Sequence, residues 1–211
     1  MPSLKEMQIA LPELNAPATL ILDREDRLTD DEYFAFCVAN PDLNVERTAE
    51  GDIVIVPPPG GESDYRNISV TTSLNLWTRM DGRGRAFGPS VQFLLPDGSG
   101  RSPDAAWVSN DRLSRLSKQE RRQFLRVVPE FVVEVLSPSD RLDAAQKKMG
   151  LWMANGVELG WLIDGDARRV YVYRGASGSL EPRLVADAES IAGEGPVEGF
   201  VLQLGEIWEG L

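Results

Sequence analysis

Between Phe131 and Leu136 the chain reads Phe-Val-Val-Glu-Val-Leu, apolar at every position but one. A strand turns successive side chains to opposite faces, so Phe131, Val133 and Val135 share one side and Val132, Glu134 and Leu136 the other. With both sides apolar, such a strand belongs in the middle of a sheet that helices cover on both faces. Glu134 then carries a carboxylate into a buried layer, where an unpartnered charge costs several kcal/mol. A cation must accompany it, either a basic side chain in a structural ion pair or a metal ion.

The next residues, Ser137-Pro138-Ser139-Asp140, read as a capping sequence, and a helix is expected from about Asp140 to Asn155, stopped by Gly156. At about 100° per residue, Leu142, Ala145, Met149, Trp152 and Met153 fall on one face. Lys148 lies on the border of that face, Lys147 points nearly opposite into solvent, and Arg141 shares the border with Lys148 two turns earlier. The helix therefore aims Lys148, and with it Arg141, toward Glu134. A second acid, Asp104, follows Ser102-Pro103 and opens the strand "DAAWV"; alone it reads equally as a turn residue. Two carboxylates from neighbouring strands can hold a hard ion such as Mg²⁺ or Mn²⁺. A nearby ammonium can orient or deprotonate a water and offset phosphate charge in a transition state.

Composition narrows the chemistry in the same direction. No His and a single Cys occur in 211 residues, which removes Ser-His and Cys-His nucleophiles, His and thiolate metal sites, and disulfides within the chain. Cys37, in "YFAFCVAN", reads as a free buried thiol. Ser137 is a capping residue rather than a nucleophile. The net charge of −11 argues against a polyanionic partner. Residues 66 to 148, however, carry 14 Lys and Arg against 9 Asp and Glu, while the rest of the chain carries 8 against 24. A basic centre between acidic ends is compatible with one polyanion-facing surface, and equally with ordinary solvated faces. No apolar run of about 18 residues marks a membrane span, and the first residues lack a signal-peptide pattern. A cytoplasmic protein is expected.

One domain, residues 1–211, is expected, with an irregular arm over 1–17 and an acidic extension over 177–211 packed on it. "RLTDDEYFAFCVANP" predicts a helix capped by Thr29 or Asp30, and "NVERTAEGDIVIVPPP" a hairpin around Glu50-Gly51-Asp52. A helix near 66 to 81 ends at Gly82. "GRAFGPSVQFLLPDGSGRSPDAAWVSN" predicts strands joined by the Pro96–Gly100 loop, with "DAAWV" as the second arm, and "SKQERRQFLRV" predicts a short helix. "ELGWLID" and "RRVYVYR" predict paired strands around Asp164-Gly165-Asp166. "GRGRAFG" is a basic turn, since it follows a helix and precedes a strand, the wrong order for a phosphate loop. The fold class is α/β: a mixed central sheet flanked by helices, with additional antiparallel hairpins.

"RSPDAAWV", "FVVEVLSPSDRLDAAQKKMGLWMANGVELGWLID" and "VERTAEGDIVIVPPPGGESDYRN" resemble the Uma-two family of restriction-endonuclease-like proteins, within the PD-(D/E)XK nuclease superfamily. The resemblance runs from about residue 30 to the C-terminus. It implies a restriction-endonuclease-like fold and a metal-dependent endonuclease that hydrolyses phosphodiester bonds of nucleic acid, DNA first, with Mg²⁺ or Mn²⁺. It makes Asp104 the acid of the Pro-Asp element and Glu134 the acid of the (D/E)XK element. Leu136 stands where that element's lysine would be, and Lys148 matches the family's lysine position on the following helix. Glu46 matches a recurrent family glutamate and is a further metal-site candidate, with an exposed strand-end residue as the plain alternative; Glu62 matches less well. Arg141 is the candidate contact to a neighbouring phosphate. A homodimer is compatible with this reading. Two rivals stay open: a non-catalytic nucleic-acid or protein binding module that keeps the nuclease fold, and a metal-dependent enzyme acting on a small phosphorylated molecule.

Overall fold

The computed structural model describes residues 17–138, 140–175 and 181–211, so the expected N-terminal arm lies outside the described residues apart from Pro17. The chain runs through β1 (Ala18–Leu20), α1 (Asp30–Ala39), β2 (Asn44–Arg47), β3 (Ile53–Val56), α2 (Gly61–Asp81), β4 (Gly84–Phe87), β5 (Phe93–Leu94) and β6 (Gly100–Arg101). It continues through β7 (Ala105–Ser109), α3 (Asn110–Ser114), β8 (Phe131–Val135), α4 (Leu142–Ala154), β9 (Leu159–Asp164) and β10 (Arg169–Arg174). The last elements are β11 (Arg183–Ala186), β12 (Ser190–Ala192), β13 (Val201–Gln203) and α5 (Gly205–Glu209).

A six-stranded mixed sheet has the order β11-β10-β9-β8-β7-β4. β8 lies inside it, antiparallel to β7 and parallel to β9, and every one of its residues is buried. Phe131, Val133 and Val135 pack with Val70 and Leu74 of α2 and with Phe200 and Ile207 near the C-terminus. Val132 packs on the other side with Met149, Trp152 and Met153 of α4. The α/β class, the two-sided burial of this strand and the apolar face of α4 thus agree with the sequence reading.

A five-stranded antiparallel sheet, β1-β3-β2-β6-β5, closes a third core around Tyr33 and Phe36 of α1. α1 begins at Thr29 in a capping box with Glu32, which satisfies orphan N–H groups of the first turn. α2 begins at Gly61 rather than near 66 and ends at Gly82, whose φ of 76° is the left-handed stop that glycine supplies without strain. Among the described residues no helix is long and apolar enough to cross a membrane.

Three local expectations are corrected. The Pro96–Gly100 loop joins β5 to β6 and not to "DAAWV"; after Arg101 the chain leaves the five-stranded sheet and enters the six-stranded one as β7, through Ser102-Pro103-Asp104. Proline has no N–H for a ladder, which suits a crossing point. The helix expected in "SKQERRQFLRV" reduces to one 3₁₀ turn, Glu120–Arg122. Its downstream end is pulled straight, because the Leu125 backbone pairs with Gln92 and Leu94 at 2.9 Å each. The helix in that region is α3, capped by the Ser109 side chain. Finally, Ser137 and Asp140 form a turn of their own, and α4 starts only after Arg141.

Candidate active site

The β7–β8 register pairs Ala105 with Val133, so one step beyond it Asp104 lies level with Glu134 at the point where the chain changes sheets. Asp104 Oδ2 accepts from the Val135 N–H at 2.7 Å and Oδ1 from Asn67 Nδ2 of α2 at 2.8 Å. Both oxygens of Glu134 are held from α4. Trp152 Nε1 donates to Oε1 at 2.7 Å and Lys148 Nζ to Oε2 at 3.1 Å, two residues one helical turn apart on one face. Lys148 Nζ also donates to the Ser102 carbonyl at 3.1 Å and stands 3.4 Å from Glu46 Oε1. Glu46, on β2 of the other sheet, accepts from Arg101 at 2.7 Å and from the Ser102 N–H at 3.2 Å.

Glu46, Asp104, Glu134 and Lys148 therefore meet, while Lys147 is exposed. Arg141 does not join them. As the N-cap of α4, with φ −92° and ψ 128°, it lies outside the helix, so helical spacing does not position it. Its exposed guanidinium pairs with Asp143 at 3.0 Å. Glu62 lies apart too, bound to Arg66 at 2.8 Å and to the Leu211 N–H at 3.1 Å. Burial pushes the Cys37 thiol up to about 12, which leaves no thiolate near neutral pH. Sequence reasoning missed three participants. Trp152 was legible one turn from Lys148, but Asn67 and Arg101 carried no local signal, since their partners come from distant segments.

The charges are unevenly compensated. Burial raises Glu134 to about 7; Lys148 opposes this only in part and the neighbouring Asp104 adds to it. Asp104 is raised as well, by burial, against the pull of Lys148, the Val135 N–H and Asn67. Glu46 goes the other way: burial alone would raise it, but Lys148 and Arg101 outweigh that and hold it below the usual carboxylate range. Burial would neutralise Lys148, yet Glu134, Glu46 and Asp104 together keep its ammonium charged.

Among the described residues no group of three or more His, Cys, Asp or Glu converges as a metal cage. Lys148 stands between Glu46 and Glu134, so the acids available to one ion are the pair Asp104 and Glu134. Their donor chemistry fits a hard ion: both are carboxylates, and each oxygen keeps a lone pair beyond its protein donor.

A pH dependence follows. With divalent ions chelated, the folded protein keeps a proton on Glu134 between its ordinary value of 4.5 and about 7, where the unfolded chain has lost it. That stabilisation is full below 4.5 and is lost as pH rises through about 7. Asp104, also raised by burial, titrates in the same sense and adds to the trend, whereas Glu46 titrates in the opposite sense and below its own ordinary value. Denaturant midpoints are expected to fall from roughly pH 5 to pH 8, and Glu134→Gln should flatten the trend; an unchanged trend in that variant would assign it to another group.

The Uma2 family, described as "Putative restriction endonuclease", matches residues 30–205. Among solved structures, the crystal structure of "a putative nuclease belonging to DUF820" from Anabaena variabilis matches with a TM-score of 0.66. The match covers 86% of this chain and 98% of that one at 22% identity, a likeness of fold. No curated protein matches. The family match takes in every strand but β1 and encloses Glu46, Asp104, Glu134 and Lys148, and the chain belongs to the Uma2 family.

Proposed function

We propose that the protein is a divalent-metal-dependent endonuclease that hydrolyses phosphodiester bonds of nucleic acid, DNA first. One observation carries this reading: where two sheets adjoin, the Lys148 ammonium meets two buried carboxylates, Glu46 and Glu134, with Asp104 level with Glu134 on the next strand. Asp104 and Glu134 would hold Mg²⁺ or Mn²⁺, which when bound lowers the pKa of a water and neutralises phosphate charge. Lys148 orients that water or meets the charge that develops on the phosphoryl oxygens. Trp152 and Asn67 each take one carboxylate oxygen and fix the orientation of the acids. Glu46 and the Ser102 carbonyl anchor the ammonium. In-line displacement at phosphorus depends chiefly on such positioning and charge neutralisation. Arg141 reaches a neighbouring phosphate by exchanging it for Asp143, an exposed partner of small strength.

The test is cleavage of single-stranded, duplex and branched oligonucleotides with Mn²⁺, beside a chelated control and Glu134→Ala. Cleavage should require the ion and fall on the order of 10²-fold in the variant; no ion-stimulated cleavage of any substrate would sink the reading. A second reading has its own support. Each oxygen of Asp104 and Glu134 already accepts from a protein donor, as in a nuclease fold kept for binding alone. Calorimetric titration separates the two. The endonuclease should show Mn²⁺ binding that Asp104→Asn removes, whereas the binding module should give no heat.

A further inference from the structure

β4 is an edge strand of the six-stranded sheet, and its side chains alternate between the two cores. Ala86 packs against the α2 side, whereas Phe87 packs against the side that holds Val132 and Trp152. Arg85, two residues from Phe87, thus shares the face of Glu134. Arg85 and Arg121 line a cavity of about 360 Å³ over an apolar floor of Phe87, Leu113 and Leu125. Both guanidiniums are fixed by backbone carbonyls: Arg85 donates to Gly84 at 2.7 Å, and Arg121 to Leu116 at 3.1 Å and to Leu113 at 2.9 Å. A carbonyl orients a guanidinium without neutralising it. Among the described residues neither arginine pairs with a carboxylate, unlike Arg112, which holds Glu130 and Glu158, or Arg115, which holds Asp111.

The strand registers give the cavity its place relative to the acids. Phe87 is level with Ala106, and Ala106 with Val132. The cavity floor is therefore two strands across and two residues along from Glu134. With about 4.8 Å between strands and about 3.3 Å per residue, that is on the order of 12 Å, and about 16 Å for the Arg85 position. A row of rings fills the interval, Phe87 to Phe93 at 5.9 Å and Phe93 to Trp152 at 6.3 Å, ending at the Trp152 Nε1 that holds Glu134.

Two oriented, uncompensated cations on a protein of net charge −11 call for an anion. The separation selects its kind, since a small phosphorylated molecule cannot reach both ends, whereas a nucleic-acid strand carries a phosphate about every 3.4 Å of axis. We propose that the Arg85–Arg121 cavity grips the phosphate backbone of nucleic acid a few nucleotides from the bond at Asp104 and Glu134, an inference that rests on the nuclease reading. Phosphates meet the two guanidiniums while the apolar floor takes a sugar or base face.

Binding of a fluorescent DNA duplex is measured in EDTA, where no cleavage intervenes, as a function of salt. Arg85→Ala and Arg121→Ala should each weaken binding about tenfold and reduce the slope of log K against log salt by about one. Arg79→Ala, which removes the same charge from the exposed side of α2 on the other face of the sheet, should do neither. Equal losses in all three, no loss in the first two, or no binding by the parent protein would overturn the cavity. Cleavage with Mn²⁺ on the same duplex is read separately. Cleavage that neither substitution slows leaves the nuclease and removes the cavity, and the expected binding pattern without any cleavage does the reverse.

Discussion

In Lys148→Ala, ion-stimulated cleavage is expected to fall on the order of 10²-fold or more, while Lys147→Ala leaves it largely intact. Each substitution removes one positive charge at adjacent positions, so bulk electrostatics predicts equal losses. The structure separates them: the Lys148 ammonium lies 3.1 Å from Glu134 and 3.4 Å from Glu46, whereas Lys147 faces solvent. Single-turnover rates on the best oligonucleotide provide the measurement, with a thermal melt to establish that both variants fold. Losses of the same size in the two variants would remove Lys148 from the reaction.

Trp161→Ala should cost about 3–5 kcal/mol of stability, close to the whole margin of many domains. The ring is fully buried, 5.0 Å from Phe131 edge to face and 5.8 Å from Phe200 in a stack. Trp161→Phe is the informative companion. The indole N–H of Trp161 has no hydrogen-bond partner among the described residues, so phenylalanine deletes an unsatisfied donor along with some volume. The two losses oppose each other and the net change should be much smaller than in the alanine variant. Chemical denaturation reads both. A large cost for phenylalanine would mean that the lost volume, rather than the ring pairing, dominates.

The sequence disclosed most where local geometry and burial agree. The alternation in Phe131 to Leu136 assigned both faces of β8, and 3.6-residue spacing distinguished Lys148 from Lys147 because both lie well inside α4. The same wheel failed for Arg141, one residue outside the helix, where 100° steps no longer hold. β5 and β6, at two residues each, are too short to show a period. Asn67 and Arg101 were illegible for a different reason. They act on Asp104 and Glu46 across 37 and 55 positions of chain, and a hydrogen bond across such a gap leaves no trace in either neighbourhood. The acidic C-terminal extension does pack on the domain: Phe200, Leu202, Leu204 and Ile207 complete the core beneath β8.

The crossing at Ser102-Pro103-Asp104 has a further consequence. Glu46 belongs to the five-stranded sheet, Glu134 and Lys148 to the six-stranded sheet and its helix, and the three crossing residues are the strap between them. The ammonium of Lys148 touches both halves and the strap at once, so it acts as a gauge of how the halves are seated. Neither half contains the whole constellation, and a half-assembled chain has its acids but not their alignment. On the proposed nuclease reading, a nascent or partly unfolded copy therefore carries no assembled centre.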